Sequence, residues 1–106
     1  MALTELTKDN FDEIVESETK PMLIDFWGPQ CVPCLGLMPT VEKLADEYGD
    51  KIAFCKVNTA ENRRLAMKLK VIGLPTFLFY KGGERVAELT GDFGEDDIVE
   101  KLNSLI

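Results

Sequence analysis

Between Pro21 and Trp27 the chain runs Met22-Leu23-Ile24-Asp25-Phe26-Trp27, apolar at alternate and intervening positions alike except for one acid. Successive side chains of a strand point to opposite faces of its sheet, so a run that is apolar on both faces needs cover on both. A central strand of a parallel sheet meets that need. Ile52–Val57 is a second short run of the same kind.

Helical patterns separate these runs. Thr7–Ser17 places Phe11, Ile14 and Val15 on one face, with Thr7 as the expected cap. From Cys31 to Tyr48, Cys34, Met38, Val41, Ala45 and Tyr48 recur at helical spacing, with a kink expected at Pro39. Ala60–Leu69 carries Leu65, Ala66 and Leu69 on one side. Thr76–Tyr80 and Glu84–Leu89, joined through Lys81-Gly82-Gly83, read as a hairpin whose glycines supply the turn. A last helix opens near Gly94 with Glu95, Asp96 and Asp97, acids suited to the positive end of a helix dipole, and turns Ile98, Leu102 and Leu105 inward. Strands alternating with helices and closed by a hairpin and a helix give an α/β fold with a mixed central sheet. Its 106 residues suit a single domain, 1–106.

Charge narrows the range of functions. With 19 acidic against 12 basic residues, the net charge of −7 leaves nothing to neutralise phosphates and argues against nucleic acid as a partner. No apolar run approaches the roughly 20 residues that span a bilayer, so no membrane partner is expected. The opening Met1-Ala2-Leu3-Thr4-Glu5 lacks the pattern of an export signal, from which a cytoplasmic location is expected. Three cysteines are too few for a disulfide scaffold, and an odd number suits reducing surroundings. A disulfide in such a chain is transient and chemical.

Cys31 and Cys34 stand three apart where Gly28-Pro29-Gln30 leads from strand to helix. Thiolate is the nucleophile in disulfide exchange, and an ordinary thiol is mostly protonated near neutral pH. Free N–H groups and the dipole at a helix start favour the thiolate, so Cys31 is expected to be activated. The spacing brings Cys34 to the same side, within reach of a disulfide. Pro33 stiffens the turn and lacks an N–H that this helix position does not use. Cys31 is thus the expected attacker and Cys34 the resolving group. Zinc also uses paired cysteines, but Cys55 is the only further sulfur ligand of that type and the chain has no histidine to complete a site. No metal or other cofactor is expected, the redox group being the cysteine pair itself. Cys55, on the opposite face from Phe54, reads as a buried and inert small hydrophobe.

Asp25 admits two readings. It is either a carboxylate that reaches water or a hydrogen-bond partner, or a buried acid of raised pKa that takes the proton of Cys34. The absence of histidine favours the second, because some group must manage protons.

Asp25-Phe26-Trp27, Cys31-x-Pro33-Cys34, Pro39, Lys56, Gly73-Leu74-Pro75-Thr76, Lys81-Gly82-Gly83 and Gly91, taken together, resemble the thioredoxin family from end to end. The resemblance implies a five-stranded mixed sheet flanked by four helices. It implies Cys31 as nucleophile, Cys34 as resolving cysteine, Asp25 as the acid beneath them and Lys56 as the lysine that tunes it. Pro75 matches a cis-proline facing the cysteines. A docking groove would include Trp27, Gly28, Gln30, Val32, Pro33, Gly73, Leu74, Pro75 and Gly91. The implied activity is reduction of client-protein disulfides, with electron transport from an NADPH-dependent or other reductase, in a role of cell redox homeostasis. A monomer is expected, because the chain shows no obvious extra apolar face. The family's usual Trp-Cys-Gly-Pro-Cys is here Gln30-Cys31-Val32-Pro33-Cys34, and Leu35 stands where lysine is usual. The stiffer Val32 bears on the potential of the pair, and Gln30 and Leu35 on the choice of partner. A disulfide-forming oxidase is disfavoured by the missing export signal. A non-catalytic binding module is disfavoured by the joint presence of both cysteines and Asp25.

Overall fold

The six apolar-rich residues near the start form strand β2 (Met22–Trp27), which lies at the centre of the sheet. A computed structural model describes residues 3–106; Met1 and Ala2, where the stretch read for an export signal begins, lie outside them. Within the described residues the elements run β1 (Thr4–Glu5), α1 (Phe11–Ser17), β2, α2 (Val32–Tyr48), β3 (Ala53–Asn58), α3 (Arg63–Lys68), β4 (Thr76–Lys81), β5 (Glu84–Thr90) and α4 (Glu95–Ser104). The sheet order is β1-β3-β2-β4-β5. β3 is parallel to both β1 and β2, whereas β4 runs antiparallel to β2 and β5. This is the five-stranded mixed sheet with four helices that the resemblance implied.

The alternation of β2 divides the core in two. Met22, Ile24 and Phe26 pack with Phe11 and Val15 of α1 and Leu65 and Ala66 of α3. Leu23, together with Phe54, Phe77 and Phe79, packs on the other side with Val41, Leu44 and Ala45 of α2 and Ile98 and Leu102 of α4. Phe26, Phe77 and Phe79 are fully buried, each contributing roughly 1.5–3 kcal/mol of transfer free energy. Asp25 and Trp27 share the parity of Leu23, so they face the α2 layer.

Local chemistry moves several boundaries. α1 starts at Phe11, not Thr7, because residues 7–10 form a turn: the Thr7 N–H donates to Asn10 Oδ1 at 2.7 Å and the Asp9 N–H to Thr7 Oγ1 at 3.2 Å. Asn10, and not Thr7, precedes the helix. α3 likewise starts later than expected, at Arg63, since the buried Asn62 is held outside the helix by donating to Asn58 O at 2.9 Å and accepting from the Lys8 N–H at 2.9 Å. α2 continues through Pro39. The hairpin is as expected, with Gly82 and Gly83 at φ 64° and 79° forming its two-residue turn. At the start of α4, the Gly94 N–H donates to Asp97 Oδ2 at 2.9 Å.

The end of α3 is unusual in sequence. Val71 N–H donates to Ala66 O at 2.9 Å and Lys70 N–H to Met67 O at 3.0 Å, the paired bonds of a Schellman closure. That closure needs a left-handed residue, and Lys70 occupies it at φ 62° where glycine would carry no side-chain penalty.

Candidate active site

The site forms where β2 ends and α2 begins. Thr59 fastens the end of β2 to the end of β3, its N–H and Oγ1 donating to Trp27 O at 2.9 and 3.0 Å. The chain then turns tightly, with Cys31 N–H donating to Gly28 O at 3.0 Å. Gly28 is buried in this turn. A Cβ there would stand 3.3 Å from Leu74 Cδ1 and 4.0 Å from Cys31 Cβ, so glycine permits the close approach.

Cys31 is the N-cap of α2, and its Sγ accepts the Cys34 N–H at 3.2 Å. The two cysteines are joined by a disulfide, with Cα atoms 5.2 Å apart. They differ in access: Cys34 is 1% exposed, whereas Cys31 is half-buried. Val32 and Pro33 occupy the first turn of the helix. Val32 is 77% exposed and, with Leu35, gives the helix start an apolar outer surface; Gln30 is also exposed.

Asp25 pairs in register with Lys56 on β3 and with Phe77 on β4. It is buried, and neither carboxylate oxygen has a hydrogen-bond partner among the described residues. Burial pushes its pKa from 3.8 up to about 7, against the smaller opposing effect of the Lys56 charge. Asp25 is therefore neither exposed nor hydrogen-bonded to another described residue. Lys56 Nζ lies 6.0 Å from the centroid of the Trp27 ring, whose indole N–H is buried without a partner among the described residues. Acid, lysine and tryptophan thus form one group at the adjoining ends of β2 and β3.

The second wall precedes β4. The Leu74–Pro75 peptide is cis, as the resemblance implied. Thr76 Oγ1 donates to Gly73 O at 2.6 Å, and Gly91 N–H donates to Pro75 O at 3.4 Å, drawing Gly73, Pro75 and Gly91 together. Leu74 returns to the cysteine side, where it lines an open pocket of about 680 Å³ with Gly28, Gln30 and Cys31. The far side of that pocket includes Thr59, Arg63 and Met67. These three were not anticipated, because Thr59 reaches the site through the pairing of β3 with β2, and Arg63 and Met67 through the placement of α3 beside the turn after β2.

Cys55 lies in the core on the α1–α3 side, buried, with its thiol pushed by burial up to about 12. It belongs to a different layer from Asp25. Among the described residues no group of three or more histidine, cysteine or acidic side chains could hold a metal, and no helix is long and apolar enough to cross a membrane.

A family model described as thioredoxin matches residues 2–104. The chain is 46% identical over 105 residues to a thioredoxin of Peptoclostridium acidaminophilum, an alignment covering 98% of this chain and 92% of that protein. It is 45% identical over 86 residues to a thioredoxin of Acetoanaerobium sticklandii, covering 81% and 82%, and 33% identical over 106 residues to one of Pyropia yezoensis, covering 100% and 99%. The chain belongs to the thioredoxin family. It is a protein thiol–disulfide oxidoreductase acting through its own cysteine pair, a class that serves disulfide-bearing client proteins and draws on a reductase.

Proposed function

We propose that residues 1–106 form one catalytic domain that reduces client disulfides, with Cys31 attacking and Cys34 resolving. The supporting observation is the asymmetry of the pair: Cys31 is accessible at a helix N-terminus, whereas Cys34 is buried at 1% exposure on the helix that covers the face of Asp25. In the reduced protein the free N–H groups of the first turn favour the Cys31 thiolate. That thiolate attacks one sulfur of the client disulfide. A Cys31–client bond forms, the client S–S bond breaks, and the departing sulfur leaves as a thiolate that takes a proton. Asp25, ionised, accepts the Cys34 proton, and the Cys34 thiolate attacks Cys31 Sγ. The mixed disulfide breaks, the second client sulfur leaves, and the pair holds the disulfide. Two electrons have passed to the client.

An acid whose pKa lies near 7 suits this proton transfer, because both of its forms are populated near neutrality. Lys56 tunes it by favouring the ionised form. Trp27, Gly28, Gln30, Val32, Pro33, Gly73, Leu74, Pro75 and Gly91 form the surface on which client backbone and side chains rest. Return of the pair to the dithiol requires two electrons from a reductase, NADPH-dependent or other, so the protein works in electron transport. The proposed setting is the cytoplasm, with the protein a monomer.

Stopped-flow mixing of prereduced protein with a disulfide-bonded test protein checks this assignment. Cys31→Ser is expected to lower the rate by at least about a thousandfold, as loss of a nucleophile does. Wild-type-like reduction by that variant would refute Cys31 as the attacking group.

A further inference from the structure

The pocket beside Cys31 carries a feature that disulfide exchange alone does not require. Its lining is largely small or apolar, including Ala66, Met67 and Leu74, and Arg63 is its one charged lining residue. Arg63 is exposed and has no ion-pair partner among the described residues. The neighbouring cations of α3 are placed differently: Arg64 and Lys68 line a separate hollow, where Lys68 lies 3.9 Å from Asp12. The stretch from 63 to 70 nevertheless holds Arg63, Arg64, Lys68 and Lys70 with no acid, in a chain of net charge −7. Arg63 thus places a positive charge beside the accessible sulfur of a protein that otherwise repels acidic partners.

We propose that Arg63 is a specificity-determining residue, and that the pocket receives an acidic side chain flanking the attacked cysteine of the client. This rests on the reading of Cys31 as nucleophile, since only then does the client's flanking residue come to the pocket that Cys31 lines. At about 680 Å³ the pocket can hold a side chain with some of its backbone. The methylene groups of a glutamate would lie along Met67 and Ala66 while its carboxylate meets the guanidinium, which is well shaped to accept it. None of the lining residues is acidic, so nothing in the pocket competes for Arg63.

Three short disulfide peptides, identical except for Glu, Gln or Lys beside the attacked cysteine, test this in single turnover with prereduced full-length protein. Each rate is divided by that of the same peptide with dithiothreitol, which removes the intrinsic effect of the neighbouring charge on the disulfide. The Glu peptide is expected to react about two- to fivefold faster than the Gln peptide, the scale of one partly exposed ion pair, and the Lys peptide more slowly. Arg63→Gln should bring the three rates together and Arg63→Glu should reverse their order, whereas Arg64→Gln should keep the wild-type order. About 1 M salt, with a screening length of roughly 3 Å, should weaken the preference. Equal normalised rates in the wild type, or an unchanged order in Arg63→Glu, would overturn the assignment. A failure of the underlying reading is distinct: Cys31→Ser would then still reduce all three peptides.

Discussion

Replacing Asp25 with asparagine should stabilise the oxidised protein, and by an amount that grows with pH. Its carboxyl is buried without hydrogen-bond partners among the described residues, and its pKa rises from 3.8 to about 7 on folding. The folded state therefore holds the proton more tightly than the unfolded state. Below about pH 4 both states are protonated and the carboxyl costs nothing through ionisation. Between about pH 4 and 7 only the unfolded chain ionises freely, so stability falls as pH rises; above about 7 both ionise and the loss is complete. The rise from 3.8 to about 7, at about 1.4 kcal/mol per tenfold change in proton affinity, amounts to about 4 kcal/mol. At 1% exposure, solvent does little to screen it. Asparagine has its own unsatisfied amide, but that cost does not vary with pH. The informative quantity is thus the wild-type-to-variant difference at pH 8 minus the same difference at pH 4, from urea unfolding of the oxidised proteins. With a slope of roughly 1–3 kcal/mol per molar, the relative midpoint should move by more than about 1 M in favour of the variant. A double difference below about 1 kcal/mol would refute the account of Asp25 as a desolvated acid.

Lys56→Met removes the cation that holds the Asp25 pKa down, so the acid should titrate above about 7. The pH midpoint of the resolving step, followed as decay of the mixed disulfide, should move upward, while Asp25→Asn should slow that step and abolish this limb of the profile. An unmoved midpoint in Lys56→Met would separate the lysine from the acid. Lys70→Gly should stabilise the protein by about 0.5–1 kcal/mol, the left-handed penalty of a lysine less the extra flexibility glycine gives the unfolded chain. A lower thermal midpoint for Lys70→Gly would show that the lysine side chain contributes more than its backbone strain costs.

The organising strand and the chemistry were readable because each has a local signature. The unbroken apolar run from Met22 to Trp27, interrupted only by Asp25, marked a strand covered on both faces, and the Cys31–Cys34 spacing at a strand-to-helix turn marked the redox group. β1 escaped notice because it is two exposed residues whose only strand-like property is pairing with Cys55 and Lys56. The starts of α1 and α3 lay later than their apolar periodicity suggested, since Asn10 and Asn62 offer side-chain bonds that compete with the first helical turn. Asp25 could not be assigned from its own strand: its burial depends on α2, and its charged neighbour comes from β3 by register. The pocket at Arg63 was invisible for the same reason, being formed between segments some thirty residues apart. The departures at Gln30, Val32 and Leu35 were evident in the chain, and all three are exposed where partners would meet it.

The division of labour between the two sulfurs is the central claim, and it is tested most directly by trapping the intermediate. The reduced Cys34→Ser protein, mixed with a disulfide-bonded client, quenched with acid and mapped by proteolysis and mass spectrometry, should yield a stable adduct with the client cysteine bonded to Cys31. Absence of that adduct, with a client cysteine found instead on Cys34 in the Cys31→Ser protein, would contradict the assignment.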